Sequence, residues 1–214
     1  MIRAIRNAGL MIIVSTGLAS AEPVTVAALG DSLTQGFGLP SNDGFVPQLQ
    51  RWLADQGSDA QLINAGVSGD TTAGGLSRIE WTLTPVVDAL IVALGGNDLL
   101  RGMDPAASRT NLDGILKIAA QRDLPVLLVG MVAPSNYGVD YKQAFDAMYP
   151  DLAAQYDTAH YPNFLKALAD LEDRATALQL YMQADAIHPN AAGVTLIVAD
   201  IGPAVLALTQ DATN

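Results

Sequence analysis

No cysteine occurs among the 214 residues. That absence excludes a thiol nucleophile, a thiolate metal ligand, a lipid anchor on an N-terminal cysteine and any disulfide. The fold must therefore rest on its core alone, which a chain of this size can manage. Charge is sparse as well, at 15% of residues, and basic side chains number 11 against 22 acidic. With no basic run anywhere, nucleic acid is not expected as a partner, because neutralising phosphates supplies most of such binding. The two histidines lie far apart and the carboxylates are scattered, so no metal-ligand spacing is present and no cofactor is expected.

What is present is apolar. Half of the residues are hydrophobic, enough for a full core, and the length suits one domain. Residues 1–21 read as a secretory signal peptide. Arg3 and Arg6 give the positive start, Ala8 to Leu18 the apolar run, and Ala19-Ser20-Ala21 the small-residue cleavage pattern. Ser15, Thr16 and Gly17 interrupt the run, which falls short of the roughly 20 apolar residues that span a membrane. The expectation is cleavage after Ala21, no stable membrane insertion, and a periplasmic or secreted protein. Without Arg3 and Arg6 the 11 basic residues become 9 against 22 acidic, a net charge of −13.

Apolar runs and helical patterns alternate along residues 22–214. Strands are predicted at 24–29, 61–64, 89–94, 125–131 and 158–161. Helices are predicted at 45–56, 72–83, 104–121, 141–156 and 165–178, followed by a last helix capped by Asn190. Pro150 is expected to kink or divide its helix, and Pro203 to disturb the final turns. Near-continuous apolar strands separated by helices imply one three-layer α/β/α sandwich around a mainly parallel sheet. In such sheets ligands bind beyond the carboxyl ends of the strands.

Three loops at those ends stand out: Gly30-Asp31-Ser32-Leu33 after strand one, Asn64 to Thr72 after strand two, and Gly95-Gly96-Asn97-Asp98 after strand three. A fourth segment, Asp185-Ala186-Ile187-His188-Pro189-Asn190, precedes the last helix. Acyl transfer by serine needs a base, usually His with a reference pKa near 6.5, and a carboxylate to orient it. His188 has Asp185 three residues earlier, and Pro189 biases it toward a loop conformation. His160 also has a carboxylate three residues before it, but it sits in a predicted strand without a glycine-rich loop, which points to a structural or surface role. Two serines compete as nucleophile. Ser68 fails to complete the Gly-x-Ser-x-Gly elbow, because Asp70 follows Gly69. Ser32 directly follows a buried strand, yet Gly-Asp-Ser alone is an ordinary turn.

Taken in order, the four segments resemble the blocks of the SGNH (GDSL) hydrolase family, with Ser32, Gly69, Asn97 and His188 standing where the family has its Ser, Gly, Asn and His. Asn64-Ala65-Gly66-Val67-Ser68-Gly69-Asp70-Thr71-Thr72 and Pro134-Ser135-Asn136-Tyr137-Gly138 further resemble the family's periplasmic thioesterase I, arylesterase and lysophospholipase branch. The resemblance implies a flavodoxin-like sheet and cofactor-independent hydrolysis of aryl esters, other short-to-medium acyl esters and acyl thioesters, lysophospholipids among them. Ser32 would be the nucleophile, His188 the base and Asp185 its orienter. The N–H groups of Ser32 and Gly69 and the Asn97 amide would form the oxyanion hole. Leu99, Leu100 and Met103, with Pro134 and Tyr137 opposite, are candidates for an acyl channel, although each also suits core packing. Residues 165–181 match the branch less well. Carbohydrate O-deacetylation on the same fold is the rival reading, and a non-catalytic binding protein a more distant one.

Overall fold

In the computed structural model, residues 22–213 are described; the expected signal peptide lies outside them. Five strands, β1 (Thr25–Gly30), β2 (Gln61–Gly66), β3 (Ala89–Ala93), β4 (Val126–Val129) and β5 (Ala159–Tyr161), form one sheet in the order β2-β1-β3-β4-β5. Every pairing is parallel. The strands expected to be buried on both faces are so. β3 and β4 contain only buried residues, and β1 only one that is less than buried, whereas the edge strands β2 and β5 carry exposed positions.

Side chains alternate between the two faces with the period of an extended strand. Val26 and Ala28 of β1, Ile91 of β3 and Leu127 of β4 join one core. Leu29, Leu90, Val92 and Leu128 join the other. The first core is covered by α2 (Phe45–Asp55) and α9 (Ala191–Asp211), the second by α3 (Thr72–Thr82), α5 (Pro105–Ala120) and α6 (Val139–Tyr156). Helix starts follow their capping chemistry. Asp104 accepts the Ala106 N–H ahead of Pro105, and Asn190 accepts the Gly193 N–H. α9 is long and apolar enough to cross a membrane, but its stripe of Val194, Ile197, Ile201, Val205 and Leu208 is buried against α2 and the sheet.

Two expectations about helices change. α6 runs through Pro150 undivided, and Pro203 lies within α9. Both prolines are exposed. The helix expected over 165–178 is instead two, α7 (Lys166–Ala169) and α8 (Arg174–Tyr181). Asp173 starts the second by accepting the Ala175 and Thr176 N–H groups, at 2.9 and 3.3 Å, a cap that favours a fresh start over a continuous helix.

The strand order reverses between β1 and β3. Chain connections diverge at that point and leave a crevice beyond the strand ends. The loops after β1, β2 and β3 all open there.

Candidate active site

Ser32 begins the short helix α1 (Ser32–Gln35) directly after β1. Asp31 caps that helix, its Oδ1 accepting the Leu33 N–H at 3.0 Å. As the first helical residue, Ser32 has no intrahelical acceptor for its own N–H. Its Oγ lies 2.9 Å from Nε2 of His188. On the far side of the ring, Nδ1 meets Asp185 Oδ2 at 2.6 Å. With Nδ1 protonated toward Asp185, Nε2 is left free to accept the serine proton.

The loop that carries this pair is strongly held. Ala186 takes a left-handed backbone, φ 54°, which is uncommon for a residue with a side chain and marks an over-determined turn. It brings Asp185 back beneath His188, so that Oδ1 accepts the backbone N–H groups of Ile187 and His188, both at 3.0 Å. Together with the imidazole contact, led by the His188 N–H, these bonds hold the Asp185 carboxyl down at about 2. Gln183 closes the base of the loop, its N–H donating to the His188 carbonyl at 2.8 Å, and Asn190 pairs back to Tyr181 before capping α9.

Gly69 sits in the loop between β2 and α3 with φ 81°, a conformation that glycine adopts without strain. Its carbonyl accepts Arg101 Nη2 at 2.8 Å. Asp70, the next residue, presents its carbonyl to the Asn97 amide nitrogen at 2.9 Å, while the second contact of that nitrogen, to Asp31 Oδ2, is long at 3.4 Å. The first bond fixes the amide plane and leaves the other N–H weakly engaged. Asn97 lies on α4 (Gly96–Leu100), which Gly95 enters at φ 116°. A side chain at Gly95 would collide with the Tyr149 hydroxyl, 2.2 Å from its Cβ position.

Several supporting residues carried no signal of their own in the sequence. The Arg78 guanidinium bonds the Asp70 carboxylate at 2.7 Å and the carbonyls of Ala65 and Gly30 at 2.8 and 2.9 Å, bracing the Gly69 loop against the ends of β1 and β2. Asp98 is fully buried and accepts from Thr72 and Ser108. Asp31 is 3% exposed, and burial pushes its carboxyl up to about 6 against the Leu33 N–H. Arg78, Asp98 and Asp31 are legible only in three dimensions, although Asp31 and Asp98 adjoin site residues in the sequence.

The competing residues lie elsewhere. Ser68 gives its hydroxyl and N–H to the Gln35 side chain. His160 is on β5, and its buried Nε2 has no hydrogen-bond partner. Beside the Asp185–His188 loop opens a cavity of ≈ 420 Å³. It is lined by Met131 and Pro134 after β4, Leu168 and Leu171 around α7, Leu178 of α8, and Met182 and Ala186. Of the candidate channel residues only Pro134 lines it. Leu99 is packed in the core, Leu100 is exposed, Met103 is half-buried, and Tyr137 stacks on Tyr141 at 4.9 Å. Much of the cavity lining comes from residues 165–181, the stretch whose sequence resembles the branch less well. Among the described residues there is no cluster suited to hold a metal ion.

Residues 28–196 match the GDSL-like Lipase/Acylhydrolase family. The chain is 40% identical to the esterase TesA of Pseudomonas aeruginosa, covering 91% of this chain and 92% of that one. It is 34% identical to thioesterase 1/protease 1/lysophospholipase L1 of Escherichia coli, over 78% of this chain and 76% of the other. The crystal structure of AlinE4, an SGNH-hydrolase family esterase, superposes with a TM-score of 0.71 at 45% identity, covering 87% of this chain and 97% of that one.

Proposed function

Because the chain belongs to the GDSL-like lipase/acylhydrolase family, we propose that it hydrolyses short-to-medium acyl esters and thioesters, lysophospholipids included, through an acyl-enzyme on Ser32. The observation that carries this reading is the continuous chain of hydrogen bonds from Ser32 Oγ through His188 to Asp185. Ser32 Oγ attacks the acyl carbonyl carbon as its proton passes to His188 Nε2. The oxygen that becomes negative is met by the N–H groups of Ser32 and Gly69 and by the Asn97 amide, donors of a kind worth about 3–4 kcal/mol each in the transition state. Collapse breaks the bond to the alcohol or thiol, which leaves with the proton from His188. Water then attacks the acyl-enzyme, with His188 again taking and returning a proton, and the acid departs. Asp185 stays ionised throughout and stabilises the imidazolium.

The ≈ 420 Å³ cavity beside the His188 loop, with its leucine and methionine lining, supports an acyl chain rather than a sugar as the bound group. Arg3, Arg6, the apolar run and Ala19-Ser20-Ala21 support export, with residues 22–214 forming one domain outside the cytoplasm. The test is a panel of 4-nitrophenyl esters and acyl thioesters of increasing chain length on the purified mature protein. Hydrolysis rising from acetyl to a medium-chain acyl group is expected. A preference for acetylated sugars would favour deacetylation instead.

A further inference from the structure

Resting on the ester-hydrolase reading above, we propose that Phe37 is a specificity-determining residue that stacks on an aromatic leaving group, so that aryl esters are favoured over alkyl esters of the same acid. The chemistry fixes where the leaving group must sit. His188 Nε2 has to return the serine proton to the departing oxygen, so that oxygen must come within hydrogen-bond reach of the imidazole. Whatever is attached to it then extends past the ring, away from the donors on Gly69 and Asn97.

Phe37 occupies that flank. Its ring centroid lies 4.7 Å from that of His188, with the planes tilted by 41°. Even so, 49% of Phe37 remains exposed, leaving an apolar surface beside the base that a ligand can cover. The backbone of Phe37 is anchored beside both reacting residues, to the Ser32 main chain and, through Gln183, to the residue after His188. The Phe37 N–H donates to the Ser32 carbonyl at 3.1 Å. The Phe37 carbonyl accepts Gln183 Nε2 at 2.8 Å, and the same nitrogen reaches the Pro189 carbonyl at 3.0 Å.

Space assigns the two halves of the substrate to opposite sides. The crevice bounded by Ser32, Phe37 and His188 holds only ≈ 10 Å³ and cannot enclose an acyl chain, whereas the ≈ 420 Å³ cavity can. The Phe37 side therefore offers a platform rather than a pocket. A flat ring suits a platform, since offset or tilted aromatic pairs gain energy beyond the area they cover. A flexible alkyl group gains less.

The experiment compares kcat/KM for 2-naphthyl hexanoate and 2,2,2-trifluoroethyl hexanoate in the native enzyme and in Phe37→Ala, Phe37→Leu and Phe37→Tyr. Both esters give the same hexanoyl-enzyme, so any change in their ratio reports on the leaving group during acylation. The naphthyl-to-trifluoroethyl ratio should fall about threefold to tenfold in Phe37→Ala and Phe37→Leu, the size expected for one aromatic pair, and should be retained in Phe37→Tyr. Leucine preserves apolar bulk against His188, which guards against a fold defect in the alanine variant. An unchanged ratio, including one where both rates drop together because His188 has merely lost support, overturns the role of Phe37. If the native enzyme turns over neither ester, the ester-hydrolase reading itself fails, and this inference with it.

Discussion

Asp98 accepts both the backbone N–H and the hydroxyl of Thr72, at 2.9 and 2.5 Å, and so joins the helix that carries Asn97 to the helix that follows Gly69. Ser108 Oγ adds a third donor at 2.8 Å, and Asn111 bonds the Thr72 hydroxyl at 3.0 Å. A carboxylate with no exposure needs such donors to be tolerated. Thr72→Val removes one of them while keeping shape. It should cost about 1.5–3 kcal/mol of stability, the range for a hydrogen bond to a charged group, and lower kcat as the Gly69 loop loosens. Thr72→Ser should retain both properties. Urea denaturation and steady-state kinetics on the two variants check this; a Thr72→Val protein with native stability would contradict it.

Asp31 makes stability depend on pH in an unusual direction. Burial raises its carboxyl from 3.8 to about 6, so the folded state holds the proton more tightly than the unfolded one. A group of this kind stabilises fully below its unfolded value, and the contribution is lost as pH rises through the folded value. Between about pH 3.5 and 7, the native protein should therefore lose about 2–3 kcal/mol relative to Asp31→Asn, whose side chain does not titrate. Urea midpoints for both proteins at the two pH values give the difference. Parallel pH dependence would contradict it.

The contrast between Asp31 and Asp185 shows what the sequence can and cannot convey. Both adjoin motif residues, but one is buried and easily protonated, while the other is held ionised by two backbone N–H groups and an imidazole. Central strands, caps at Asp104 and Asn190, and the order of the four loops were readable because periodicity and local hydrogen bonding determine them. The cavity wall was not. It depends on a break between α7 and α8 set by the Asp173 cap, and on packing among residues far apart in the chain. Arg78, which reaches Gly30, Ala65 and Asp70 at once, is likewise defined only by the fold.

Ala169 lines the ≈ 420 Å³ cavity and is exposed, so a larger side chain there fills space without disturbing the core. Ala169→Trp should reduce kcat/KM for 4-nitrophenyl octanoate by roughly 10- to 100-fold, the scale of about 1–3 kcal/mol of lost apolar burial. Hydrolysis of the acetyl ester should change by less than about twofold, because that ester does not reach the cavity. Equal losses on both esters would contradict an acyl chain in this cavity.

Asp185→Asn removes the acceptor that orients His188 Nδ1–H at 2.6 Å. The turnover rate should fall by about 10²- to 10⁴-fold, as when an orienting carboxylate is neutralised in other triads, with KM little altered. Since the Asp185 carboxyl is held at about 2, it contributes above its unfolded value near 4 and is lost only as pH falls toward 2. Activity lost between pH 7 and 5 therefore does not arise from Asp185. A variant with near-native turnover would show that this carboxylate does not serve the base.

In the proposed mechanism every chemical step depends on Ser32 Oγ, and Ser32→Ala removes that atom while leaving the helix start capped by Asp31. The direct measurement is hydrolysis of 4-nitrophenyl hexanoate by native and Ser32→Ala protein of equal thermal stability. A fall in kcat of at least about 10⁴-fold is expected, in line with loss of the nucleophile in other serine hydrolases. Native-level turnover by Ser32→Ala would contradict Ser32 as the nucleophile.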